Sequence, residues 1–224
     1  ASAIMAIGAV EGPALPGGID SARLTRWARQ SLARLRARSG RPRIFGGRFR
    51  LSPRLGRAER LVRSWVAALE PQFQARLPRL EIVPADDIVR VSGKILLDAG
   101  AQARSLDGDR STQAVSYVRE RVLVLHRRLF RQRWLGQRLF YHELCHFLWP
   151  RLGARARRDF VAHLRREVAR GVHGELGYSA QFRKARLNGR SRQAWREYVC
   201  ESFCDTGAYA LAQAAGLGRR LQSV

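Results

Sequence analysis

The sequence predicts an α+β fold, in which a small sheet is followed by a mainly helical C-terminal half. Short apolar runs rich in β-branched residues, such as 121–125, are typical of buried strands. Apolar residues recur at helical spacing in 57–69 and in 139–148. A further stretch, about 191–215, also has the pattern of a long helix.

The N-terminal quarter predicts one basic helix followed by an irregular segment. Residues 13–18 are rich in Pro and Gly and form a flexible lead-in. Asp20 or Ser21 is a suitable N-cap for a helix that reaches about residue 38. We expect this helix to pack on the body of the protein rather than on a membrane surface. Residues 39–56 predict a loop that leaves room for a strand at 43–50.

The remaining elements follow from periodicity and from the positions of Gly and Pro. We expect an N-terminal arm over 1–55 and one main domain over 56–224. The predicted elements of the main domain are a helix at 57–69, strands at 80–83, 94–97 and 121–125, a loop at 100–113, a helix ending before Pro150, a helix at 155–170 and a Gly-rich loop at 171–178.

The motif His142-Glu-Leu-Cys-His146 predicts a metal site. Residues four apart share one face of a helix, so both imidazoles can bind the same ion. Glu143 lies beside that face, where its carboxylate can take a proton from a metal-bound water. Leu139, Phe140, Leu144, Phe147 and Leu148 form an apolar stripe beneath the motif. We expect this stripe to pack on the sheet and to hold the ligands rigidly.

A third ligand is expected downstream, because catalytic zinc commonly has three protein ligands and one water. Glu201 and Asp205 are four residues apart in the predicted helix at about 191–215, among apolar neighbours. Buried carboxylates need a partner, and a metal with its histidines would supply one. The alternative is that these two carboxylates pair with some of the many arginines.

Together the two segments resemble the gluzincin metallopeptidases. The resemblance covers about residues 117–150 and 195–211 and implies a zincin-like fold with Zn²⁺ as the cofactor. By residue, it implies that His142, His146 and Glu201 are the zinc ligands, that Glu143 is the general base, and that Asp205 orients His142. Residues 138–148 are also similar to the small ImmA/IrrE-type metallopeptidases.

Two other residues compete for the role of third ligand. His173 lies in the Gly-rich loop and, with the following Gln181-Phe182-Arg183, resembles the third-histidine segment of SprT-like proteases. Glu197 lies one helical turn before Glu201. His126 and His163 are expected to be structural or surface residues.

Peptide hydrolysis also needs a donor that stabilises the oxyanion. Tyr178 and His173 are the leading candidates, because a Gly-rich loop between two ligand-bearing helices could lie over the cleft. Tyr198, Tyr209 and neighbouring arginines are the alternatives.

The chain has three cysteines, Cys145, Cys200 and Cys204, and each directly precedes a residue assigned to the site. One step along a helix is a rotation of about 100°. We therefore expect the thiols to face the packing side, with thiolate ligation or a redox role as the alternatives. Three cysteines give no disulfide framework, which favours a cytoplasmic location. Residues 1–10 are apolar but lack the basic start of a signal peptide, and removal of a leader would instead allow export.

The composition predicts affinity for polyanions. The chain of 224 residues carries a formal net charge of +24, and only Lys94 and Lys184 of its 42 basic residues are lysines. Such a surface attracts acidic peptides, anionic membranes or nucleic acid without sequence preference. The sequence contains no run of 18 apolar residues, so it predicts no transmembrane segment.

The sequence thus predicts a zinc-dependent peptidase, a hydrolase that acts on a protein or peptide, with acidic substrates favoured. The competing hypothesis is a basic nucleic-acid-associated protein, either SprT-like or with a structural or vestigial zinc site.

Overall fold

The computed structural model describes residues 20–98, 108–109, 111–187 and 191–217, and it confirms the α+β class. The chain divides into two compact units. The first unit contains the residues up to Ala67 and those from Pro78 to Gly136, and the second contains 68–77 and everything from Gln137 onwards. All strands of the described residues lie in the first unit.

The first unit is built on a mixed five-stranded sheet with the order β1-β2-β3-β7-β6. Its central strands pair in parallel and are buried, as expected for near-continuous apolar runs, and the strands at both edges pair antiparallel. A separate hairpin joins β4 and β5. The strands are β1 (Arg43–Phe45), β2 (Phe49–Leu51), β3 (Leu80–Ala85), β4 (Ile88–Val91), β5 (Lys94–Leu97), β6 (Ala114–Tyr117) and β7 (Val122–His126).

The N-terminal basic helix, α1 (Ser21–Arg38), packs within the first unit, as predicted. The Asp20 carboxylate caps it by accepting the backbone N–H of Arg23 at 2.6 Å. Its buried apolar residues join core clusters with residues of β3, β4 and β5. The Ser31 hydroxyl also accepts the backbone N–H of Leu97 at 3.2 Å, so the helix is bonded to the β4–β5 hairpin.

The described part of the second unit is helical. The motif lies on α4 (Arg133–Leu148), which begins at the end of the first unit and continues into the second. The glycine at the boundary, Gly136, is buried, and a Cβ there would lie 2.6 Å from the Leu129 carbonyl oxygen and 2.9 Å from the Trp65 ring. The other α-helices among the described residues are α2 (Ala58–Ala67), α3 (Pro71–Arg76), α5 (Ala154–Ala169), α6 (Tyr178–Lys184) and α7 (Arg192–Ala214).

Helix α7 is the central element of the second unit. The Ser191 hydroxyl caps it by accepting the backbone N–H of Ala194 at 3.1 Å. One apolar cluster joins it to Leu164 on α5 and to Ala180 on α6. A second cluster places the sulfurs of α7 beside Cys145 of α4. The side chains of α7 therefore pack among three other helices.

Several predictions from the sequence need correction. The strand expected at 43–50 is a hairpin of β1 and β2, and strands β4 and β6 and helices α3 and α6 were not predicted. These missed elements are short, so periodicity gives little signal for them. The lead-in at 13–18 and most of the loop at 100–113 lie outside the described residues. The division into 1–55 and 56–224 and the zincin-like packing of the sheet on the motif helix stay predictions.

Among the described residues, no helix combines the length and the apolar character needed to cross a membrane.

Candidate metal centre

The two histidines of the motif lie side by side on α4. Their ring centroids are 5.1 Å apart, as the spacing of four residues predicts. His142 is buried and His146 is mostly buried. Glu143 is also buried, and its charge is close enough to help raise the pKa of His146. The motif therefore lies in the interior of the protein rather than on a solvated helix face.

Helix α7 brings Glu201 against the same two imidazoles. Its Oε2 atom lies 3.3 Å from Nε2 of His142 and 4.0 Å from Nε2 of His146. Two ligand atoms at about 2.0–2.1 Å from a tetrahedral ion lie about 3.3–3.4 Å apart. The first distance matches that separation, and the second is longer by roughly 0.6–0.7 Å. The Glu201 oxygen therefore lies near a ring nitrogen of each histidine.

Asp205 contacts the opposite side of the first histidine. Its Oδ1 atom lies 2.8 Å from Nδ1 of His142. When an ion occupies Nε2, the proton of the ring is on Nδ1, which then donates to the carboxylate. Asp205 thus makes the contact with His142 that the gluzincin resemblance implies. The predicted alternative, in which both acidic residues pair with arginines, does not describe Asp205.

The electrostatics of this cluster favour a positive charge at its centre. Burial alone would lower the pKa of His142, but hydrogen bonds to Asp205 and Glu201 raise it well above its ordinary value. For Glu201, burial alone would raise the pKa, and the two histidines and Arg183 instead lower it to about 2. In the protein without metal, protons on the imidazoles therefore supply the charge that a cation would supply.

The sulfur of Cys204 also belongs to this centre. His142, His146 and Cys204 each offer a ligand atom, and these atoms lie within 4.8 Å of one another, so this group could hold a metal ion. The sequence predicted that the thiols face the packing side, and all three are indeed buried in one sulfur cluster with Phe73 and Leu211. The prediction is incomplete, because the same helix face presents Cys204 to both histidines. Its position three residues after Glu201 was the signal for this placement.

A short helix that the sequence did not reveal positions Asp205. The backbone N–H of Ala180, in the first turn of α6, donates to Oδ2 of Asp205 at 2.9 Å. Gly177 directly precedes this helix, and a Cβ at that residue would lie 2.2 Å from Cγ of Asp205. Both carboxylate oxygens are therefore fixed, one by His142 and one by α6. Gly177 and Ala180 together form what we call the Asp205 cradle. Gly177 was the only sequence signal of it.

The loop before α6 is attached to α7 through Glu175. Its carboxylate accepts the hydroxyl of Tyr198 at 2.7 Å and pairs with Nζ of Lys184 at 2.9 Å. Arg138 of the motif helix also donates to the backbone carbonyl of Leu176. The loop is thus held beside the helix that carries Glu201 and Asp205.

The other candidate residues lie outside the group of metal-binding atoms. His173 is exposed, and Tyr178 is 79% exposed, with its ring stacked on Phe182. Glu197 forms a 2.8 Å ion pair with Arg183, so its carboxylate already has a cationic partner. The roles of His173 and Tyr178 in catalysis stay predictions.

The two remaining histidines have local partners. His163 is exposed and lies 3.2 Å from Glu167 on the same helix. His126 ends strand β7, and its Nδ1 accepts the backbone N–H of Arg128 at 3.0 Å. Both placements agree with the structural or surface roles expected for them.

Comparison of the chain with protein-family models, with curated proteins and with solved structures gave no match.

Proposed function

We propose that the protein is a zinc-dependent peptidase in which His142, His146 and Glu201 hold the ion and Glu143 is the general base. The observation that carries the proposal is the position of Oε2 of Glu201, which lies 3.3 Å from Nε2 of His142 and 4.0 Å from Nε2 of His146. Two neutral nitrogens and one carboxylate form a donor set that catalytic zinc uses. Asp205 on Nδ1 of His142 adds the carboxylate–histidine contact common at such sites.

The chemistry would then be divided among residues of the chain. A bound zinc ion would supply a water of lowered pKa and would polarise the peptide carbonyl. Glu143 would accept a proton as the general base and return it to the leaving amine. Asp205 keeps the proton of His142 on Nδ1, which leaves Nε2 free as a donor. Tyr178 and His173 are our candidates for stabilising the oxyanion, because both flank the segment that Glu175 attaches to α7.

The positive charge of the chain suggests the substrate class. With a formal net charge of +24, the surface attracts negatively charged peptide segments. We therefore expect acidic, unfolded substrates to be cleaved faster than basic ones, with a difference that shrinks as salt rises.

The substitution Glu143→Gln tests the peptidase proposal. It keeps the size of the side chain but removes the base, so the variant should retain one zinc ion and lose cleavage by roughly 100-fold or more. Bound metal is measured by elemental analysis, and cleavage by the release of fluorescent fragments from a labelled acidic protein. Glu70→Gln, the same change at an exposed residue, is the matched control. Equal cleavage by wild type and Glu143→Gln would contradict the proposal.

The second candidate function is a nucleic-acid-associated protein with a structural metal. The observation that favours it is Cys204, because a site of His142, His146 and a thiolate is also suited to structural zinc. Cobalt substitution separates the two functions, since a thiolate ligand gives an intense charge-transfer band and the nitrogen–oxygen set does not. Binding of a duplex DNA probe with a steep salt dependence, together with that band and no cleavage, would favour this second function.

A further inference from the structure

Both histidines of the motif have a partner at Nδ1, and the two partners differ in chemistry. Nδ1 of His142 faces the carboxylate of Asp205 at 2.8 Å. Nδ1 of His146 faces the sulfur of Cys200 at 3.6 Å, a separation suited to an N–H donor and a large, weakly accepting sulfur. Each imidazole thus has Glu201 near its Nε2 atom and a second residue of α7, Asp205 or Cys200, near its Nδ1 atom.

We propose that Cys200 is a positioning residue, whose sulfur accepts the Nδ1–H of His146 and directs Nε2 towards the metal. The inference rests on the proposed zinc site. An ion on Nε2 requires the proton on Nδ1, and that proton needs an acceptor when the ring is buried. Partners of this kind orient the ring and contribute to metal affinity.

The surroundings of Cys200 support this role. Cys200 is only 3% exposed and lies in a cluster with Cys145 and Cys204. Gly207 allows the helices to approach there, because a Cβ at that residue would lie 2.5 Å from Sγ of Cys145. Water is therefore poorly placed to replace the sulfur as the acceptor for His146.

Zinc affinity of the full chain tests the inference, with Cys200→Ala, Cys200→Ser and Cys145→Ala compared with wild type. Affinity is measured by competition with a chromogenic chelator, and folding of each metal-free variant by circular dichroism. Cys200→Ala should bind zinc roughly 10–100-fold more weakly. Cys200→Ser should recover part of the loss, because the hydroxyl can accept the same proton. Cys145→Ala removes an equally buried sulfur from the same cluster and should stay within about 3-fold of wild type.

Three outcomes would overturn the inference. The first is equal loss in Cys145→Ala and Cys200→Ala, which indicates a packing effect. The second is a cobalt charge-transfer band that Cys200→Ser abolishes, which makes Cys200 a ligand. The third is unchanged affinity in Cys200→Ala, or no zinc binding by wild type. Zinc binding that depends on Cys200 in a protein that cleaves no peptide would instead support the inference and contradict only the peptidase proposal.

Discussion

Replacing Gly177 by alanine should weaken the metal centre without touching a metal ligand. The backbone φ of Gly177 is −158°, an extended conformation that any residue adopts, so the change adds no backbone strain. The new Cβ would instead lie 2.2 Å from Cγ of Asp205 and 2.3 and 2.4 Å from its two oxygens. Such contacts are about 1 Å too short, since non-bonded atoms settle at about 3.5 Å.

Relief of this clash must displace either the Asp205 carboxylate or the start of α6. A shift of about 1 Å lengthens the 2.8 Å contact with His142, the 2.9 Å bond from Ala180, or both, beyond normal hydrogen-bonding distance. Loss of such a partner weakens metal binding by roughly 10–100-fold. That loss corresponds to about 1.4–2.8 kcal/mol of binding free energy.

The assay is a zinc titration against a competing chelator, with Gly153→Ala as the matched control. Gly153 has a φ of −57°, and nothing lies within 4 Å of its added Cβ, so the control variant should bind zinc like wild type. If Gly177→Ala binds zinc within about 3-fold of wild type, Asp205 is not held by the Asp205 cradle of Gly177 and Ala180.

Three further predictions concern packing and protonation. Gly136→Ala places a Cβ 2.6 Å from the Leu129 carbonyl oxygen. The variant should therefore have a free energy of unfolding lower by roughly 1–3 kcal/mol. Urea unfolding that gives the same free energy for the variant and the wild type would contradict this packing. No described residue forms a hydrogen bond with the buried Tyr117 hydroxyl. Tyr117→Phe should therefore leave the free energy of unfolding unchanged or raise it by up to about 1 kcal/mol. A clear decrease of that free energy in urea unfolding would show that the hydroxyl has a partner. For His146, burial alone would lower the pKa, but Cys200 and Glu201 raise it from 6.5 to about 9. Its contribution to the stability of the metal-free protein is therefore complete below pH 6.5 and is lost as the pH rises through about 9. Zinc must displace this proton and also one from His142, whose pKa is raised as well, so zinc affinity should rise as the pH rises through about 9. An affinity independent of pH would contradict the shift.

Long, strongly patterned elements could be predicted from the sequence. Helix α1 has clear apolar spacing, and α1 and α7 have side-chain caps at Asp20 and Ser191, so local chemistry determines where they begin. Strand β7 is a continuous apolar run, which is typical of a strand buried on both faces. Helix α6, in contrast, has seven residues and follows a Gly-rich loop, so its existence depends on contacts with α7.

The same distinction holds for the metal centre. Residues His142 and His146 could be paired from sequence, because backbone geometry alone places i and i+4 on one face. The positions of Glu201 and Asp205 were predictable because acidic residues are scarce in this basic chain. The contact of Cys200 with His146 could not be predicted, since these residues are 54 apart in sequence and meet only through the approach of α4 and α7.

The burial of Glu143 argues for catalysis over a purely structural metal. A structural site made by His142, His146 and Cys204 would have its ligands without this side chain. Yet Glu143 is only 8% exposed, and its charge acts on His146. A base that must exchange protons with a metal-bound water has to lie beside the metal ligands, so the position of Glu143 supports the proposed peptidase.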